Sequence, residues 1–176
     1  MQKAVFLDRD GVLNEEIGDY VYRIEDFKIV PGIIDVLQQL KDAGFLLIVA
    51  TNQAGITKGR YNREDMARMH DYFQQESGQL IDHFYFAANH PVFSESLLRK
   101  PDSLMWEKAI AKYNIDPSVS WMVGDKERDL VPAQKLGIQT IRIFIDGYYE
   151  KGEETIGDFS IRDVSQISDI ILPENH

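Results

Sequence analysis

Two carboxylates separated by a single residue, Asp8 and Asp10, stand directly behind the apolar run Ala4-Val5-Phe6-Leu7 and directly before Gly11. A short apolar run ended by turn residues suits a buried parallel strand, although such a run alone does not exclude helix. Open α/β sheets bind their ligands at the carboxyl ends of their strands. Two acids placed there, with a glycine that lets the backbone turn closely around a ligand, suit a divalent cation and a phosphate. An ordinary solvated turn uses the same residue types, so the rest of the chain has to decide. Three further polar stretches follow apolar runs or precede a helix: Thr51-Asn52-Gln53-Ala54-Gly55, Arg99-Lys100-Pro101 and Gly124-Asp125-Lys126-Glu127-Arg128-Asp129. Phosphoryl transfer asks for such a set: a nucleophile, positive charge for the nonbridging oxygens and a proton for the leaving group. A carboxylate can be the nucleophile through an aspartyl-phosphate, and a second acid can protonate the leaving oxygen and then activate water. Magnesium needs only two carboxylates and a backbone carbonyl if it keeps several waters. A threonine hydroxyl and a lysine ammonium can hold a phosphoryl oxygen.

The elements that must position these residues alternate along the chain. Strands are expected at 4–7, Phe45–Ala50, His83–Ala87, Val119–Val123 and Gln139–Ile145, with a last short strand at Asp169–Leu172 after a weak helix at Val164–Ile167. Helix signals lie between them. Pro31-Gly32 opens one with Ile33, Val36, Leu37 and Leu40 on a single stripe and Gly44 at its end. Asn62 caps a second, with Met66, Met69 and Phe73 inward and Gly78 closing it. Asp102 or Ser103 caps a third. Pro132 fits a fourth if Asp129 caps it and the proline falls in the first turn. The aromatic and acidic segment 15–28 has no clean period and reads as a substrate-facing loop or small flap, and His70 as a surface or packing residue. This alternation implies a single domain over 1–176 with a Rossmann-like three-layer αβα fold and a mainly parallel sheet joined by right-handed crossovers. In that fold Asp8, Asp10, Thr51 and Asp125 converge on one edge, with Lys100 at a helix start on the same edge.

The 176 residues suffice for a sizeable core, and 44% hydrophobic with 27% charged residues is ordinary globular composition. No apolar stretch approaches the roughly 20 residues of a membrane helix. The chain enters a strand almost at once, leaving no room for a signal peptide, so a cytoplasmic location is expected. With no cysteine, disulfides, thiolate metal sites and a cysteine nucleophile are excluded together. A formal net charge of −10 argues against nucleic-acid or anionic-membrane partners. An anionic small molecule then requires local positive charge and a metal.

In order, Asp8-Arg9-Asp10-Gly11-Val12, Thr51-Asn52-Gln53, Arg99-Lys100-Pro101 and Gly124-Asp125-Lys126 with Asp129 resemble the four motifs of the haloacid dehalogenase superfamily of phosphatases. The DRDGVLN, TNQAGI and VGDKERD stretches resemble, more narrowly, its branch acting on heptose bisphosphates and histidinol phosphate. The resemblance implies a magnesium-dependent phosphatase without a large cap domain. It implies Asp8 as nucleophile, Asp10 as general acid and base, and Thr51 and Lys100 as phosphate binders. Magnesium would be held by the Asp8 carboxylate, the Asp10 carbonyl and the Asp125 carboxylate. Asn52, Gln53, Arg99 and Lys126 would lie nearer the substrate, and Asp129 would act behind the ligands or as a cap. The 7-phosphate of D-glycero-D-manno-heptose 1,7-bisphosphate is the first substrate implied, histidinol phosphate or another sugar phosphate the second.

One departure stands out. Members of that branch usually carry a zinc loop of three cysteines and a histidine, whereas the matching stretch here is Ala87-Ala88-Asn89-His90-Pro91-Val92-Phe93. One histidine cannot make a tetrahedral site, so no structural zinc is expected and His90 reads as a loop residue. Two rival classes remain: a receiver-type domain phosphorylated on aspartate, which would leave Asp10 without work, and a non-catalytic binding domain on the same fold. The expected partner is a small phosphorylated metabolite, and the expected state a monomer or small homo-oligomer.

Overall fold

The computed structural model describes residues 1–148 and 156–172. Its centre is a six-stranded, all-parallel sheet in the order β3-β2-β1-β4-β5-β6, built from β1 (Ala4–Leu7), β2 (Leu46–Asn52), β3 (His83–Ala87), β4 (Trp121–Gly124), β5 (Gln139–Ile143) and β6 (Phe159–Ile161). Every residue of β1 is buried, because the strand is flanked on both edges and covered on both faces. Leu7 pairs with Val49 on one side and Val123 on the other. The chain runs outward from β1 through β2 to β3, then crosses back to β4, so the strand order reverses between β1 and β4. Such a switch point opens a crevice at the carboxyl edge. Asp8 and Asp125 follow those two strands.

Helices α1 (Ile33–Asp42), α2 (Arg63–Ser77) and α5 (Gln166–Ile171) cover one face, and α3 (Leu104–Tyr113) and α4 (Glu127–Lys135) the other. In α1 the stripe Ile33, Val36, Leu37 and Leu40 is buried, each side chain contributing about 1.5–3 kcal/mol by leaving water. Helix α2 starts on a reciprocal cap, in which Asn62 Oδ1 accepts from Asp65 N (2.8 Å) and Asp65 Oδ2 accepts from Asn62 N (2.9 Å). It ends at Gly78, whose φ of 70° is left-handed.

Three expectations change. Asp169–Leu172 is not a strand: Ile167, Ile170 and Ile171 have helical spacing, and Ile167 and Ile171 are buried from α5. A short apolar run is ambiguous by pattern alone. Beyond β5 the sixth strand is instead β6, with a three-residue span too short for a periodic signal. Asp158 holds its approach, its Oδ2 accepting from both Thr140 N and Thr140 Oγ1 at 2.8 Å. Pro132 lies in the second turn of α4, since the helix begins at Glu127. Asp129 is its third residue and caps from inside, accepting Lys126 N at 3.1 Å. Among the described residues no helix is long and apolar enough to cross a membrane.

Candidate active site

Asp8 is 4% exposed. Its Oδ1 accepts from Arg9 N (2.7 Å) and pairs with Lys100 Nζ (2.9 Å), and no hydrogen bond reaches Oδ2 among the described residues. Lys100 is equally buried and reaches Asp129 Oδ1 (2.5 Å) and the Ala50 carbonyl (2.9 Å). Carboxylate oxygens of Asp8, Asp125 and Asp129 gather within 4.8 Å of one another. Burial, then the charge of Asp129, pushes the Asp8 carboxyl up to about 6 against the pull of Lys100. Burial and then Asp8 hold Asp125 up to about 6, although Lys126 Nζ lies 2.8 Å away. For Lys100 burial works against its charge, but Asp129 and Asp8 outweigh it and raise its pKa.

Asp10 sits in a different environment. Its Oδ1 accepts from Arg9 Nη2 (2.8 Å), Arg9 Nε (3.2 Å) and Asn14 Nδ2 (3.0 Å), while Oδ2 accepts from Gln53 Nε2 (3.3 Å). Burial pushes its pKa up, yet Arg9 and these hydrogen bonds win and hold it below the usual carboxylate value. Arg9 is itself buried and donates to the Val21 carbonyl at 2.9 Å, which ties segment 15–28 to the site. That segment is pinned at its base, where Glu15 N donates to the Lys28 carbonyl at 2.8 Å. It stacks Tyr22 on Tyr61.

Thr51 lies next to the end of β2, buried, and its Oγ1 accepts from Gln53 Nε2 at 2.9 Å. Asn52 clamps the backbone of Lys100, accepting from its N–H (3.0 Å) and donating to its carbonyl (3.1 Å). Gln53, expected near substrate, is 1% exposed, donates to Asp10 and Thr51, and lines the cleft above Asp10. A cleft of about 450 Å³ opens above Asp10, lined among others by Tyr20, Asn52, Lys126 and Arg128. Lys126 Nζ also donates to the Tyr148 carbonyl at 3.2 Å. Arg99 does not line this cleft; its Nη1 donates to the Asn89 carbonyl (3.0 Å) in the adjoining depression with Pro91 and Asp102. Burial and then the charge of Arg128 lower its pKa. Arg9, Asn14, Tyr61 and Arg128 received no task from the sequence. Arg9 and Asn14 lie inside the first motif, and only the structure shows that both turn back onto Asp10.

The family profile of haloacid dehalogenase-like hydrolases matches residues 3–137. The chain is 38% identical over 148 residues to D-glycero-beta-D-manno-heptose-1,7-bisphosphate 7-phosphatase of Haemophilus ducreyi, covering 79% of this chain and 81% of that protein. It is 38% identical over 153 residues to D-glycero-alpha-D-manno-heptose-1,7-bisphosphate 7-phosphatase of Burkholderia mallei, covering 82% and 80%. Its fold is similar to that of D,D-heptose 1,7-bisphosphate phosphatase from B. bronchiseptica complexed with magnesium and phosphate, with a TM-score of 0.88 and 24% identity over 97% of this chain and 98% of that one. All four strand-end motifs fall within the matched span, and the chain belongs to the haloacid dehalogenase-like hydrolase family.

Proposed function

We propose that this chain, acting as one domain, is a magnesium-dependent phosphatase that removes the 7-phosphate of D-glycero-D-manno-heptose 1,7-bisphosphate through an aspartyl-phosphate on Asp8. The observation that carries the reading is the pair of contrasted carboxylates at the switch point. Asp8 has one oxygen tied and one free, and Asp10 is held independently by Arg9, Asn14 and Gln53 beside an open cleft. A receiver-type phosphoacceptor has no use for the second of these.

The donor set fits magnesium. It offers oxygen only, and the three clustered carboxylates outnumber the two ammonium groups of Lys100 and Lys126 that touch them. Asp129 has both oxygens engaged, by Lys100 and by Lys126 N. The ligands we assign are therefore the Asp8 and Asp125 carboxylates and the Asp10 carbonyl. When bound, the ion supplies positive charge that lets the phosphoryl group approach an ionised Asp8. Asp8 Oδ2 attacks phosphorus as the bond to the leaving oxygen breaks, and Asp10 gives that oxygen its proton. Asp10 then takes a proton from the water that attacks phosphorus, breaking the Asp8–phosphate bond. Thr51 holds a phosphoryl oxygen and Lys100 supplies positive charge beside it, with Asn52 fixing Lys100 and Gln53 fixing Thr51. Lys126 and Arg128 at the cleft, with Arg99 beside them, form a cationic rim in a chain of net charge −10. Such a rim suits a substrate carrying a second phosphate, and in this respect a bisphosphate fits better than histidinol phosphate.

The test compares turnover of both anomers of the heptose bisphosphate with histidinol phosphate and a panel of sugar phosphates, with phosphoprotein followed in parallel. Fastest turnover of a heptose bisphosphate, abolished by EDTA and restored by magnesium alone, is expected, with no stoichiometric zinc on elemental analysis. A persistent phosphoprotein without turnover, or one tightly bound zinc per chain, would contradict the reading.

A further inference from the structure

We propose that Tyr61 is a positioning residue for this reaction, its hydroxyl locking the Gln53 amide in the orientation that serves Asp10 and Thr51 together; this rests on the reading of the site above. Gln53 is buried, and its amide is fully committed. Its Oε1 accepts from the Tyr61 hydroxyl at 2.6 Å, and its Nε2 donates to Thr51 Oγ1 at 2.9 Å and to Asp10 Oδ2 at 3.3 Å. An amide nitrogen has two hydrogens, and both are spent. Turned over, the amide would set its oxygen against Asp10 Oδ2, an acceptor facing an acceptor, and would draw the single Thr51 hydroxyl hydrogen onto itself.

Each contact has a chemical consequence. Arg9 and Asn14 already hold Asp10 Oδ1, so among the described residues Gln53 alone fixes Oδ2, the oxygen left for proton transfer. Thr51 accepts from Gln53 and therefore keeps its single hydroxyl hydrogen for a phosphoryl oxygen. Tyr61 is well placed to impose this order. Its ring packs against Gly55, where any Cβ would collide with it, and stacks on Tyr22 at 5.3 Å and 8°. Burial raises its pKa, which keeps the hydroxyl protonated and donating. If the ring were only packing, phenylalanine would serve as well.

Tyr61→Phe in the full chain removes the hydroxyl and keeps the ring. With wild type turning over a sugar phosphate, kcat of this variant should fall about tenfold while KM stays within about twofold. The thermal midpoint should move by no more than about 2 °C. Gln53→Ala should lose at least as much, and the double variant no more than Gln53→Ala alone, since both act through one amide. Tyr22→Phe, which strips the hydroxyl from the stacked neighbour, should match wild type. Wild-type kcat in Tyr61→Phe overturns the proposal, as do multiplicative losses in the double variant or a loss that follows thermal destabilisation. Should Tyr61→Phe not fold, Gln53→Ala decides, because a wild-type kcat there also overturns it. A wild type that hydrolyses no phosphate ester fails the reading of the whole site, an outcome distinct from an active wild type indifferent to Tyr61.

Discussion

Asp8 and Asp10 are two residues apart and have opposite surroundings. Around Asp8 the neighbours are acids, and Lys100 is shared with Asp129, so burial and like charge push the carboxyl up to about 6. Around Asp10 the neighbours are donors, and Arg9 with its companions pulls it down despite burial. This is the reverse of what the proposed reaction uses, an anionic nucleophile and a protonated acid. The difference shows what each side awaits. A divalent cation held by the Asp8 and Asp125 carboxylates would lower both, and a phosphate dianion beside Asp10 would raise it. In the protein alone the two shifts thus run against the chemistry in direction, while Asp8, at about 6, is still largely ionised at neutral pH.

The largest effect that can break this comparison is expected from Asp8→Asn. Turnover should fall by several orders of magnitude because the attacking oxygen is lost. Stability should hold or rise, since the substitution removes one of three crowded carboxylates and leaves Lys100 paired with Asp129. Asp10→Asn should behave in the opposite sense for stability, costing about 1–2 kcal/mol, because the buried Arg9 loses its charged acceptor. Urea unfolding of the two variants side by side checks this; an equal loss from both would erase the contrast.

Asp10→Asn also carries the next effect in size. An aryl phosphate barely needs a proton as its bond breaks, whereas a sugar phosphate does. Single-turnover phosphorylation of Asp8 should therefore slow far more with the sugar phosphate, and with the aryl ester phosphoenzyme should accumulate as a burst. Equal slowing for both esters, with no phosphoenzyme trapped, would mean that Asp10 acts only as a structural partner of Arg9.

Much of this arrangement was legible because it rests on period and punctuation. The runs before Asp8, Thr51 and Asp125 are short and apolar and end in polar residues, so their strands and the shared edge follow from alternation. Strand β3 and the Asn62 and Gly78 ends of α2 fall where the sequence puts them. What stayed hidden depends on distance across the fold. Asn52 and Gln53 line the cleft as substrate neighbours would, but a line of letters does not tell that one also grips the Lys100 backbone and the other is tied between Asp10 and Thr51. Tyr61 lies eight residues from Gln53 with no motif to link them. The weak helix expected at Val164–Ile167 stops short of the end of α5, whose three isoleucines give helix and strand nearly equal claims.

The smallest expected effect concerns stability, and it sets the two sides of the site against each other in a pH titration. His70 stacks on Phe84 at 4.3 Å, its Nε2 has no hydrogen-bond partner among the described residues, and burial followed by the nearby Arg9 lowers its pKa to about 3. Below an unfolded value of about 6.5 the unfolded chain takes a proton that the native imidazole refuses. Stability is therefore lost as pH falls, by at most about 1.4 kcal/mol per unit. Asp8 and Asp125 act with the other sign in metal-free protein. Their native values near 6 exceed the unfolded 3.8, so the native state takes up protons first and gains stability as pH falls through that window. Urea titrations in EDTA between about pH 4 and 7 separate the two. Replacing His70 by phenylalanine should make the slope against pH less positive, whatever it does to the absolute value, and Asp8→Asn should make it more positive. A His70→Phe curve parallel to wild type across the range would show that His70 accepts its proton in the folded state after all, and that the Asp10 side of the site is less sealed than its hydrogen bonds imply.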